Sequence, residues 1–286
     1  MPHWVEAAII RIITITLGFL FVTSLWGFYI SIRPPRIVSS LTPKNLQIDY
    51  EKVWFRTSDG LTLSGWFIPG KTATKKTLIL LHGYPADKGN ILPALSFLHK
   101  DYNLFLFDFR YLGESEGKYS TAGANEVRDL LAAIQFLKTR EIEEVGVWGF
   151  SMGGAVALMG IKKAPEIKAV VSEGSYASLA QMAPELFRIP VLRYPLAYLV
   201  SLWAKIFLGI DIRNISPVKA VQNTTIPLLL IHSSTDEVIP FSHARSLQKA
   251  LADNPRAEFW FHAGPAHGEL GTEYQKRIAD FFQRYL

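Results

Sequence analysis

Six short runs of almost wholly apolar residues constrain this chain more than any other feature of its sequence. They lie at 77–82, 102–107, 145–149, 169–172, 227–232 and 257–261. A strand that is apolar throughout has no face for water, so it suits a parallel sheet covered on both sides. Between the runs the period becomes that of a helix with one buried face. Val127, Leu130, Leu131, Ile134 and Leu137 recur at that spacing, and 242–251 and 272–285 read similarly. Alternating β and α units predict an α/β fold built on a doubly wound, mostly parallel sheet with helices on both faces. Ahead of them, 50–57 and 61–69 read as a hairpin around Ser58-Asp59-Gly60.

The 286 residues suffice for one large α/β domain plus an extra segment. That segment is at the amino end. Residues 12–32 carry no formal charge and, as a helix, span about 30 Å, the thickness of a hydrocarbon core. Trp26 and Tyr29 near its end suit an interface, and Arg33 and Arg36 follow. The run is longer than the apolar part of a signal peptide and has no small-residue cleavage site after it, so it reads as an uncleaved transmembrane anchor. Arg33, Arg36, Lys44 and Lys52 lie beyond the span and only Arg11 before it. The positive-inside rule then favours a cytoplasmic domain, whereas insertion led by the short amino end places it outside. The proline-bearing stretch that follows reads as a linker. The organisation expected is an anchor over 1–32, a linker over 33–49 and the α/β domain over 50–286.

The net charge of +5 comes from scattered Lys and Arg, with no dense basic run. This suits attraction to an anionic membrane surface and gives no sign of nucleic-acid binding. The absence of cysteine excludes a disulfide framework, a thiolate metal site and a cysteine nucleophile.

The third apolar run ends in VWGFSMGGAV, with Gly149 and Gly153 flanking Ser151 at two residues on either side. A G-x-S-x-G between strand and helix is a nucleophile elbow: the turn is so tight that only glycine fits beside it, and the serine hydroxyl projects at the top of the sheet. The helix that follows aims its free N–H groups at the same place. The base and its orienting acid follow later in such chains, acid first. Asp236, in the STDEVIP turn after the fifth run, is the acid favoured over its neighbour Glu237. His267, in the Gly/Pro-rich loop after the sixth run, is the base favoured over His262 at the end of that run. The backbone N–H groups of Tyr84 and Met152 are the expected oxyanion donors. His82 reads as a loop brace, and Asp108 with Arg110 as a turn held by an Arg–carboxylate pair.

Together HGYPADKGN, DFRYLGESEG, GFSMGG, TDEVIP and PAHGE resemble the α/β-hydrolase superfamily over residues 52–286. The nearest likeness is to single-pass membrane-anchored α/β-hydrolase domain proteins and their serine aminopeptidase-like and monoacylglycerol-lipase-like relatives. The resemblance implies an eight-stranded sheet, a Ser151–Asp236–His267 triad and no cofactor. Two details depart from common forms: the turn Asp-Phe-Arg-Tyr-Leu-Gly, and Glu173 where an aspartate is frequent at the end of the sixth strand. Neither touches the triad.

An insertion at about 175–223 reads as a cap. Within it Leu196, Leu199, Val200, Trp203 and Phe207 follow helical spacing, and the opposite face is also largely apolar. A helix apolar all round is buried or meets lipid, so the cap is either packed on the domain or a lid facing the membrane. Phe187, Tyr198 and Trp203 are the candidate substrate contacts. An apolar, aromatic wall over Ser151 favours a small-molecule or lipid ester or thioester with a hydrophobic acyl group. A peptidase would need carboxylates for the substrate amine, for which Glu185, Asp211 and Glu173 are thin provision. A catalytically silent, membrane-tethered binding protein is the remaining alternative.

Overall fold

The structure, a computed structural model, describes residues 1–72, 74–187, 190–264 and 272–286. Its centre is an eight-stranded sheet in the order β1-β2-β4-β3-β5-β6-β7-β8. The strands are β1 (Glu51–Arg56), β2 (Thr62–Ile68), β3 (Thr77–Leu81), β4 (Asn103–Phe107), β5 (Val145–Phe150), β6 (Ile167–Glu173), β7 (Leu228–Ser233) and β8 (Ala257–His262). The hairpin β1–β2 runs antiparallel, and from β4 to β8 every neighbour is parallel. All six apolar runs therefore became strands. Every residue of β3, β4 and β7 is buried, as strands covered on both faces require.

The helices are α1 (His3–Ile32), α2 (Lys88–Leu95), α3 (Glu126–Lys138), α4 (Met152–Gly160), α5 (Leu179–Met182), α6 (Arg193–Leu208), α7 (Pro217–Ala220), α8 (Phe241–Ala250) and α9 (Thr272–Tyr285). Helices cover both faces of the sheet, while α1 packs on α6. One core joins α3 and α4 to Ile79, Phe105, Phe107 and Val147. The other joins α2 and α9 to Leu78, Leu80, Leu104 and Trp148. Helix α9 shows how pattern becomes packing: Tyr274, Ile278, Phe281 and Phe282 lie on one stripe and are buried, and the rest of its surface is polar.

Helix α1 begins nine residues before the uncharged run and spans 30 residues, about 45 Å at the α-helical rise. Its lower half is not free of the domain. Phe21 meets Trp203 of α6 edge to face, Phe28 stacks on Phe207, and the Trp203 indole donates to Ser24 Oγ at 3.0 Å. The segment after α1 also lies against the domain. Arg36 donates to the carbonyls of Gly113 and Ser115, Ser39 N–H to the Asp87 carboxylate, and Tyr111 Oη to the Pro34 carbonyl at 2.9 Å. Residues 33–49, read as a linker, are thus a fastened strap.

The turn after β4 corrects a second reading. Arg110 does not pair with Asp108. Its guanidinium forks onto Asp129 of α3 and reaches Asp59 of the β1–β2 turn, while Asp108 accepts from the backbone and ammonium of Lys88 and from Glu114 N–H. Two carboxylates from distant elements suit a buried fork better than an adjacent one whose geometry the backbone dictates. Both Arg110 and Asp129 are buried, so Asp129→Ala leaves a desolvated cation with only its partly exposed partner. The expected cost is about 3 kcal/mol of unfolding free energy, measured by denaturant titration in detergent.

Candidate active site

The chain reverses from β5 into α4 at Ser151, which sits at φ 52° and ψ −116°. A non-glycine residue there costs about 1–3 kcal/mol and persists only where its surroundings enforce it. The surroundings are visible. A Cβ on Gly149 would collide with the Gly153 carbonyl, and one on Gly153 would meet the carbonyls of Leu81 and His82 at the end of β3. Helix α4 thus passes so close to the sheet that only glycine fits at both places. All nine of its residues are buried. Ser151 N–H donates to the Glu173 carbonyl at 2.8 Å, which fixes the elbow to β6.

The first loop beside the serine follows β3. A Cβ on Gly83 would stand 2.9 Å from the Phe150 ring and 3.3 Å from Ser151 Cβ, so glycine lets this loop approach the elbow. His82 is fully buried and bridges Gly83 O to Phe109 N–H at 2.7 and 3.0 Å, the bracing role read from the sequence. Burial lowers its pKa, so the ring is neutral and can accept from Phe109. The Tyr84 hydroxyl donates to the Ser31 carbonyl at 2.8 Å. Ser31 lies in the last turn of α1, where helix carbonyls lack an internal partner. The loop carrying one expected oxyanion donor is therefore tied to the end of α1. The other, Met152, is the first residue of α4 and is buried.

Asp236 stands in the loop after β7. Its Oδ1 accepts from the N–H groups of Val238 and Ile239, both at 2.8 Å. Its Oδ2 is buried with no hydrogen-bond partner among the described residues. His232 Nε2 is 3.7 Å away and is turned to the Ile239 carbonyl at 2.9 Å. Glu237, the competing acid, is exposed. His267 lies outside the described residues. The Gly264 carbonyl, just after β8, accepts from Thr235 Oγ1 at 2.8 Å, which holds Gly264 beside the Asp236 loop. His262 ends β8 with its ring against Trp260.

The cap residues separate. Trp203 and Phe187 face α1, the first through Ser24 and Phe21 and the second against Gly27. Tyr198 is 71% exposed and lines an outward groove with Tyr194 and Leu202. A helix apolar on every side does not reveal which face meets which neighbour, and here α1 takes the face read as substrate wall. Asp211 is engaged with Arg213, and Glu185 is exposed. Among the described residues no group of three or more His, Asp or Glu side chains is placed to ligate a metal.

One contact near the serine could not be read from the sequence. The Glu173 side chain, at the end of β6, is buried and accepts from Tyr274 Oη of α9. Burial pushes its pKa up to about 7, against the smaller opposing effect of that hydrogen bond. The partner is 101 residues away, so only the fold joins them.

A serine elbow at the carboxyl edge of a mostly parallel sheet defines a class of protein, and comparison with known proteins agrees with it. The model of the α/β-hydrolase fold matches residues 76–198. The chain is 33% identical over 246 residues to YfhR of Escherichia coli O157:H7, covering 81% of this chain and 80% of that protein. It is 27% identical to the α/β-hydrolase domain-containing protein WAV2 of Arabidopsis thaliana, over 86% of this chain and 82% of the relative. The solved structure of the Pyrococcus furiosus esterase Pf2001 superposes with a TM-score of 0.74 at 29% identity, covering 89% of this chain and 99% of that one. The chain belongs to the α/β-hydrolase superfamily.

The Glu173 carboxyl titrates near 7 in the folded chain and near its ordinary 4.5 when unfolded. Between those values the native state holds one more proton, so stability falls as pH rises through the window, by up to about 3 kcal/mol. Thermal unfolding of the protein between pH 4.5 and 7.5 should show that decline. Burial pushes the Asp129 carboxyl up to about 7 as well, so in Glu173→Gln the slope should become shallower by the share of one carboxyl and not vanish.

Proposed function

We propose that this protein is a membrane-anchored serine hydrolase that cleaves carboxylic esters or thioesters of hydrophobic acyl groups. The observation that carries the reading is the strained Ser151 at the elbow, on the same sheet edge as a buried, half-unpartnered Asp236 carboxylate. A buried carboxylate oxygen without a donor is costly, and an imidazole N–H from the loop beyond Gly264 is the natural partner. His267 supplies it. With Nδ1–H held on Asp236, His267 Nε2 accepts the proton of Ser151 Oγ as that oxygen attacks the substrate carbonyl carbon. The tetrahedral oxyanion is held by Tyr84 and Met152 N–H, each donor worth roughly 3 kcal/mol at such sites. His267 returns the proton to the leaving alcohol or thiol, and water repeats the sequence on the acyl-enzyme.

Helix α1 is long and apolar enough to cross a bilayer, and the exposed Ile10, Ile13, Leu17 and Phe21 along it suit lipid contact. We read it as the membrane anchor. The esterase Pf2001 supports ester chemistry by its similarity over nearly its whole length. An aminopeptidase has less support, because Asp211 is neutralised by Arg213 and Glu173 is buried and engaged by Tyr274.

A fluorophosphonate probe should label the detergent-solubilised parent and leave Ser151→Ala and His267→Ala unlabelled. In the parent, kcat/KM for 4-nitrophenyl esters should rise with acyl length, up to roughly fourfold per methylene. A folded parent that takes no label contradicts hydrolysis and favours a silent binding protein. A flat chain-length series contradicts a hydrophobic acyl site.

A further inference from the structure

Two apolar cavities meet at Phe28. The outer is an open groove of about 550 Å³ lined by Val22, Leu25, Trp26, Phe28 and Tyr29 of α1 and Phe207 of α6. The inner is a slot of about 80 Å³ beneath the cap, lined by Phe28, Ile32, Leu179, Val200, Ala204 and Ile215 among others. Phe28 lines both and stacks on Phe207 of the outer groove with ring centroids 5.9 Å apart, so the Phe28 side chain stands where the two cavities adjoin.

The chemistry of the slot favours an apolar occupant. Ser120 Oγ and Thr121 Oγ1 in its lining both donate to Glu126, at 2.8 and 2.6 Å, and the Ser31 carbonyl accepts from Tyr84. What remains open is hydrocarbon. The outer groove runs along α1, so its mouth faces bilayer lipid when that helix spans the membrane. The inner end reaches Ser31, whose carbonyl holds the Tyr84 hydroxyl at 2.8 Å, one side chain away from the proposed oxyanion N–H.

We infer that the anchor helix forms a wall of the acyl-binding site: the acyl chain of a membrane lipid enters sideways from the leaflet between α1 and α6, lies along the outer groove, and lodges a few of its carbons past Phe28 in the slot. The inference rests on the reading of α1 as the anchor and, for the chain to be a substrate, on Ser151 as nucleophile. It gives α1 a second task beyond tethering, and it explains why Trp203 and Phe187 pack on that helix instead of over the serine. Lateral entry also spares the acyl chain a passage through water, which for a long chain is the dominant cost of reaching a buried site.

The test uses full-length Ser151→Ala protein in phosphatidylcholine vesicles that carry a diazirine on one acyl chain. After irradiation, cross-linked residues are mapped by mass spectrometry. The expected result is labelling of slot residues such as Leu179, Val200 and Ile215 besides the outward positions Ile13 and Leu17 of α1. Ala204→Phe fills the slot and should reduce slot labelling about tenfold relative to Ile13 and Leu17. Val200→Phe on the same wall should act alike if Ala204→Phe does not fold. Labels confined to the outward face of α1, or no labels, overturn the inference. Cross-linking needs no catalysis, so slot labelling of the Ser151→Ala protein beside a parent that resists fluorophosphonate would keep the chain-binding site and overturn its reading as substrate.

Discussion

Helix α4 approaches the sheet more closely than side chains allow, and the surrounding architecture follows from that approach. At Gly149 and Gly153 even one added carbon would strike backbone, which leaves the helix nowhere to go but against the ends of β3 and β5. The turn between strand and helix then has room for one residue, and that residue is forced into a left-handed conformation. Close packing is what enforces it: interiors are dense, so local strain in one residue is outweighed by the many contacts that a buried nine-residue helix makes. The serine stays partly accessible by the same geometry that buries the helix after it.

Loops do the remaining work, and buried polar groups hold them. Glu126 at the start of α3 accepts from Ser120, Thr121 and Gly123, which shapes the segment beneath the cap. Lys88 joins Asp108 to Glu114 and stacks its ammonium over Trp66, which fixes the turn after β4 to the loop after β3. Such groups are costly to bury and more costly to strand, so each partner pins the position of the other. The same logic extends to the amino end. The carbonyls at the end of α1 have no partner within the helix, and Tyr84 Oη and Ser120 N–H take those of Ser31 and Ile32. The helix proposed as an anchor is thereby continuous with the loops around Ser151.

Much of this was legible in the sequence because it depends on short-range pattern. The six apolar runs became strands since a parallel strand buried on both faces leaves no polar position to disguise it. The elbow was legible because two glycines at fixed offsets report one local geometry. Asp236 is buried and Glu237 exposed, a difference that the sequence alone does not carry. What the sequence did not disclose is pairing across the fold. Arg110 was assigned a nearby carboxylate, but Asp59 and Asp129 reach it from elements 51 and 19 residues away. Glu173 and Tyr274 meet only because α9 packs behind β6. Trp203 lies on an apolar helix whose pattern has no preferred side, so its contact with α1 could be known only once both helices were placed.

The central claim is that Ser151, Asp236 and His267 form one reactive unit served by the N–H groups of Tyr84 and Met152. A crystal structure of the protein after reaction with a phosphonate ester tests it most directly. The account predicts a covalent bond from Ser151 Oγ to phosphorus and a phosphoryl oxygen within about 3 Å of both N–H groups. It also predicts that His267 donates to the Asp236 Oδ2 that now lacks a partner among the described residues. A phosphonate bound elsewhere, or Asp236 Oδ2 taken by His232 with His267 turned away from Ser151, would contradict it.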